Sequence, residues 1–235
     1  MSKILYTCFV LSALSLCCVS CEEVFPSIDL QGSKTLKLYD YYVDEYGNDG
    51  IVAYVGTTSD AADSFKIVLS LDETIESWGP QEYIVYKDSV LEPMIKVISF
   101  GVAMHQLMYQ IGIDNFPAQA WCNQKNKDNC PWAGSWRLPT LTEHNMIVKN
   151  IDRLNSYLRN YQGIPMDTTK MYWTCIEDYD QLLEIKGEIN NTYDPMNKAI
   201  ALTPTYKVIG GKSKWLKSNK HNVRAIKYIY YQKQE

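Results

Sequence analysis

The residues best equipped for chemistry lie in one acidic stretch, EDYDQLLEIKGEINNTYDPMN, residues 177 to 197. Glu177, Asp178, Asp180, Glu188, Asn190, Asn191 and Asp194 supply carboxylate and amide oxygens, the donors that a hard cation such as calcium takes. Tyr179 and Tyr193 add aromatic faces on which a sugar ring can stack. Glu177, Asp178, Tyr179, Asp180, Tyr193 and Asp194 are therefore the ligand-binding candidates. A solvated, acidic surface loop has the same composition and is the plain alternative.

A second group sits in GSWRLPTLTEHN, residues 134 to 145. His144 beside Glu143 has the residue types of an acid-base pair. However, Thr140 followed by Glu143 is a capping box, in which each side chain satisfies an orphan backbone N–H at a helix start. That use of Glu143 makes Trp136, Arg137, Pro139, Thr140 and Glu143 a structural corner, with His144 a packing or surface residue. The aromatic group Trp121, Trp132, Trp136, Tyr172 and Trp173 is read first as core around this corner, with a carbohydrate platform as the alternative. There is no G-x-S-x-G, no H-E-x-x-H, no P-loop and no glycine-rich dinucleotide fingerprint, so no catalytic residue is assigned and the chain is read as non-enzymatic.

The cysteines report the compartment. Lys3 followed by an apolar run from Ile4 to Leu16 and then small residues is a secretory signal. Val19 and Ser20 ahead of Cys21 fit a lipoprotein signal, with Cys21 as the lipid attachment residue and the membrane as a partner through its acyl chains. A plain secreted protein cut nearby is the alternative. Residues 1–20 are then the signal peptide, 21–37 a tether and 38–235 a single domain. Cys122 and Cys130 flank a short polar loop, NQKNKDN, and are the easiest pair to close as a disulfide in an oxidising compartment. Cys175 would be a lone buried thiol. No histidine falls at finger-like spacing to these cysteines, so the metal content stays unknown and no cofactor beyond a calcium ion is suggested. A net charge of −4 and a pI near 5.5 exclude a sequence-wide basic patch and with it nucleic acid. The 18 tyrosines and 6 tryptophans are of the kind over-used at recognition surfaces.

These groups need elements to hold them. GIVAYVG (50–56) and FKIVLSLDE (65–73) are β-branched runs around a polar turn, a hairpin signal, and their apolar density marks a central, covered pair. Residues 95–112 carry apolar residues at helical spacing and end in a glycine, while a further helix can begin at Pro117. A helix follows from Leu141, with Ile147, Ile151, Leu154 and Leu158 on its buried face, Asn150 as a break and Gly163 as its stop. MYWTCIE (171–177), KAIALTP (198–204) and NVRAIKYIYY (222–231) read as strands. Strands, then helices, then strands give an α+β domain whose terminal strands share a sheet.

LYDYYVDEYGNDGIVAYVG with KIVLSLDE, then FPAQAWC, WRLPTLTE, YWTCIED and NVRAIKYI, in that order, resembles a family of Bacteroidetes lipoproteins. These carry a C-type-lectin-like domain similar to the C-terminal domain of the Legionella collagen-like adhesin and to the Fibrobacter succinogenes major paralogous domain. The resemblance covers roughly residues 38 to 231. It implies a C-type-lectin-like fold, with twisted antiparallel sheets, two main helices and a long irregular loop region where ligands bind, here the segment 177–197. Where family members have a Ser-Ser-Thr-Glu run after the Tyr-Trp, this chain has Thr174, Cys175, Ile176 and Glu177. The Glu-Pro-Asn and Trp-Asn-Asp signatures of calcium-dependent sugar binders are absent. Oxidases on the related fold use a close cysteine pair, and nothing around Cys122 and Cys130 matches their motif. Glu22 and Glu23 resemble the acidic export signal of surface lipoproteins in that phylum. DSV (88–90) and DTT (167–169) match its short O-glycosylation pattern. The implied protein is lipid-anchored at the outer membrane, displayed on the cell surface, and an adhesin or glycan-binding module. A fimbria-associated or assembly subunit that binds other envelope proteins is the alternative, and an enzyme on the same fold is the third reading.

Overall fold

The structure, a computed structural model, describes residues 36–57, 64–80, 100–126, 134–177, 198–205 and 214–231. The lipid-attachment residue Cys21, the signal peptide and most of the tether lie outside them, as do Cys130, Trp132, the DSV triplet and residues 178–197. In chain order the elements are β1 (Tyr41–Val43), β2 (Asp49–Thr57), β3 (Ser64–Ser70), β4 (Thr74–Ser77), α1 (Phe100–Gly112), α2 (Pro117–Asn123), α3 (Leu141–Val148), α4 (Ile151–Asn160), β5 (Tyr172–Glu177), β6 (Lys198–Leu202), β7 (Lys214–Leu216), β8 (Lys220–Val223) and β9 (Ile226–Tyr231). One sheet has the order β1-β2-β3-β9, the other β4-β8-β5-β6-β7. All described pairings are antiparallel except β5 with β8. The domain is α+β, with two sheets and four helices among the described residues.

The density of β-branched residues in β2 and β3 has a direct cause, because both faces of their sheet are covered. Ile51, Ala53, Phe65, Ile67, Leu69, Ile226 and Tyr228 face α3 and α4, where they meet Ile147, Val148, Leu154 and Leu158. The alternate residues Val52, Val68 and Ile229 face the other way, into a second core with Trp78, Met104, Met108, Phe116, Trp136 and Trp173. This is the two-residue period of a strand serving two cores at once. Fully burying a side chain such as Leu154 or Leu158 contributes about 2 kcal/mol, which is how a ten-residue helix is held down.

Local signals place the helix ends. Gly112, with φ 118°, closes α1, and Pro117 starts α2. Thr140 and Glu143 form the capping box in full. The helical region after Leu141 is two helices broken at Asn150, as its sequence suggests. The stop after α4 differs from expectation. Gln162, not Gly163, is left-handed, with φ 60°. The N–H of Gly163 bonds the carbonyl of Leu158 at 2.8 Å and that of Gln162 bonds Arg159 at 3.1 Å, a Schellman closure. Gly163 is needed for close approach instead, since a Cβ there would lie 3.0 Å from the side chain of Leu71.

The run from Asn222 to Tyr231, read as one strand, is two strands in different sheets. The chain crosses from β8 to β9 at Arg224 and Ala225. There Ser70 N–H bonds the Ala225 carbonyl at 2.9 Å, Ala225 N–H bonds Ser70 Oγ at 3.3 Å, and the Arg224 guanidinium bonds the carbonyls of Ser70, Leu71 and Asp72. These contacts satisfy backbone groups that the ladder drops at the crossing.

Candidate functional site

The corner at Trp136 is structural. Arg137 is 1% exposed, and its guanidinium makes two bonds to the two oxygens of Glu143, at 2.6 and 2.8 Å. Thr140 N–H donates to Glu143 Oε2 at 2.7 Å. Burial alone would raise the Glu143 carboxyl, but Arg137 and the Thr140 N–H outweigh it and hold it below its ordinary value. Backbone bonds join Arg137 to Ile226 in β9 and Pro139 to Cys175 in β5, while Gln119 of α2 accepts from Leu138 N–H. Trp136 Nε1 donates to Asp44 at 2.8 Å. One short segment thereby ties both sheets, α2 and the β1–β2 turn together. His144 is buried as well, with its Nε2 unpartnered, and burial pushes it down to about 4. Trp136, Tyr172 and Trp173 are core, and Trp121 is half-buried.

Of the acidic ligand candidates, Glu177 is described and does not face a ligand. It is 2% exposed and ion-paired with Lys217, which lies 4.9 Å over the Trp78 ring. A carboxylate buried against an ammonium is held by its partner and is closed to solvent, so Glu177 belongs to the core of the second sheet. Asp178, Tyr179, Asp180, Tyr193 and Asp194 lie outside the described residues. Among the described residues no group of three or more His, Cys, Asp or Glu side chains could hold a metal ion, and no helix is long and apolar enough to cross a membrane. Cys122 is a free thiol with none of its surface exposed, packed inward from α2, and burial drives its pKa far up. Its expected partner, Cys130, is outside the described residues. Cys175 is a free, buried thiol, as expected.

The structure brings together a different set of residues. A groove of about 750 Å³ is lined by Tyr41, Asp49, Leu71, Asp72, Asn160, Tyr161, Gln162, Gly163 and Ile164. Three separate segments build it: the β1–β2 edge, the end of β3 and the turn closing α4. Tyr39 stacks on Tyr157 at 4.8 Å and 10°, and Tyr41 meets Tyr161 at 5.3 Å and 41°. The match is geometric, because four residues along a helix rise about 6 Å and two along an extended chain span up to about 6.5 Å. The inner pair closes the core, and the outer pair opens as a wedge of aromatic surface, with Tyr41 43% exposed.

The polar groups of the groove are held in place. Asp49 Oδ2 accepts from the Tyr41 hydroxyl at 3.4 Å, and Asp72, half-exposed, pairs with Lys125 at 2.6 Å. Beneath the floor, buried Arg224 binds the Ser70, Leu71 and Asp72 carbonyls with one nitrogen and the Ile164 carbonyl with the other. Ile164 N–H completes the join by bonding the Leu71 carbonyl at 2.9 Å. The two walls are fixed to one another before any ligand arrives, which lowers the cost of binding. Sequence reading missed this set because its members are spread over three segments. The one local hint is the density of tyrosines in LYDYYV and YLRNYQ.

Compared with models of known protein families and with curated proteins, the chain matches none.

Proposed function

We propose that this chain is a lipid-anchored protein of a bacterial outer membrane, displayed at the cell surface through Cys21, whose C-type-lectin-like domain is a non-enzymatic adhesin or glycan-binding module. The observation that supports binding is the groove, where the tilted Tyr41–Tyr161 pair stands beside Asp49, Asp72, Asn160 and Gln162. Sugars present apolar C–H faces and hydroxyl edges. Aromatic faces with carboxylates and amides at the rim satisfy both, in a groove of the size that small ligands use. No cofactor is part of this reading. Binding of the acyl-bearing protein to a glycan array, lost in Tyr41→Ala and Tyr161→Ala, is the expected result. An array on which wild type and variants are equally blank overturns it. Acyl labelling and protease shaving of intact cells, with Cys21→Ala as control, test the anchor.

A second reading, an assembly subunit that binds envelope proteins, is favoured by one observation. Leu38, Tyr41, Val43 and Tyr46 all expose large apolar side chains along the short edge strand β1 and its flanks. Co-purification with other envelope proteins, together with a blank array, would select it.

A further inference from the structure

We infer that the groove selects neutral sugars and rejects acidic ones; this rests on the glycan-binding reading above. Its exposed charges have one sign. Asp49 and Asp72 both line it, and no arginine or lysine is among the described residues that line it. Two cations packed against its lining residues are already engaged. Lys125 is bonded to Asp72 and lies 4.6 Å over the Trp121 ring. Arg224 sits under the floor, 2% exposed, with its guanidinium on four backbone carbonyls and 3.3 Å from Glu73. A uronate or sialate carboxylate entering the groove would meet two carboxylates, Asp72 already carrying Lys125, and no cation among the described residues that line the groove.

A neutral hexose or N-acetylhexosamine meets the opposite situation. Its hydroxyls donate to the Asp49 and Asp72 oxygens, bonds that are strengthened by the charge on the acceptor. The amides of Asn160 and Gln162 donate to its ring and hydroxyl oxygens and accept from its hydroxyl or acetamido hydrogens. The C–H face of the ring lies on Tyr41 or Tyr161. The tilt between those rings fits two successive sugar units that turn relative to one another, and the volume has room for a short chain. Repulsion of an acidic unit is a Coulomb effect at an exposed site, so it weakens as salt rises, while the neutral contacts do not.

The test is binding of the full chain to pairs of neutral hexose or N-acetylhexosamine oligosaccharides and their uronate-containing counterparts, at low and high salt. The neutral member should bind at least tenfold more tightly at low salt. The gap should narrow at high salt and in Asp49→Asn, an isosteric change that removes one charge. Tyr41→Ala, which removes a side chain 43% exposed, should abolish binding of the neutral member while the variant keeps a cooperative unfolding transition. Equal or preferential binding of the uronates overturns the selection and leaves the glycan reading standing. Neutral binding that survives Tyr41→Ala places the ligand elsewhere and overturns the site. Binding of no member overturns both.

Discussion

Arg137 and Glu143 meet end-on inside the core, guanidinium to carboxylate, with each terminal nitrogen donating to one carboxylate oxygen and almost no surface exposed on either side. Gly101 of α1 makes room for them, since a Cβ there would lie 2.3 Å from an Arg137 nitrogen. Neither charge has water to fall back on. Removing one partner therefore strands the other, at a cost of about 3–5 kcal/mol, more than the pair itself contributes. Glu143→Leu and Arg137→Met should each lower the unfolding free energy by that amount, read as a lower denaturant midpoint at an unchanged m-value, and the double variant should cost much less than their sum. Additive losses would show that the two side chains act independently.

The same corner shows what sequence can and cannot reveal. The Thr140–Glu143 capping box is read from two letters three residues apart, because the backbone N–H groups it satisfies are local. The second use of Glu143, as the counter-ion of Arg137, is invisible, since nothing in the letters says that this face of the helix is dry. The pairing of β2 with β3 and the break at Asn150 are legible for the same local reason. The division of β8 from β9 is not, because Val223, Arg224 and Ala225 have no turn chemistry and the crossing is held by Ser70 and Arg224, distant in sequence. Glu177 reads as a surface ligand until Lys217 is found against it. The groove is the extreme case, built wholly from tertiary contacts between three segments.

Gln162 carries a left-handed backbone at a position where glycine is usual, and its neighbour Gly163 does not. A side chain in that conformation costs about 1 kcal/mol relative to glycine. Gln162→Gly should therefore raise stability by roughly 0.5–1 kcal/mol, read as a higher thermal midpoint, while weakening glycan binding through loss of the amide. Gly163→Ala should do the reverse to stability, because its Cβ would press on Leu71. A stabilised Gly163→Ala would mean that Leu71 yields freely.

Arg224 joins the groove's walls by binding the carbonyls of Ser70 to Asp72 on one side and Ile164 on the other. Lysine keeps the charge but has one ammonium in place of a planar fork, so it cannot serve both walls. Arg224→Lys should cost at least about 2 kcal/mol, on the scale of a lost hydrogen bond to a charged group. It should also speed hydrogen exchange at the Ile164 amide, which bonds Leu71. Unchanged exchange there would show that the walls hold without the guanidinium.

Acid should weaken the fold through two histidines. His105 and His144 are buried, and burial lowers each to about 4. His105 has an Asn123 bond at 2.9 Å that only partly opposes this, and His144 has a backbone bond at Thr203. The unfolded chain titrates its histidines near 6.5. Between about pH 6.5 and 4 the unfolded state binds protons that the folded state refuses, so stability falls as pH falls through that window. Above 6.5 both states are neutral at these positions and they add no pH dependence. The full loss at pH 4 is on the order of 3 kcal/mol per histidine. Carboxylates held low in the fold, such as Asp44 and Glu143, add their own acid sensitivity mainly below that range. His144→Gln removes one titrating group, so between pH 6.5 and 5 its unfolding free energy should fall less steeply than that of wild type, by up to about 1.4 kcal/mol per pH unit. Denaturant titrations across that interval measure the two slopes, and equal slopes would mean that His144 takes up its proton as readily in the folded protein as in the unfolded chain.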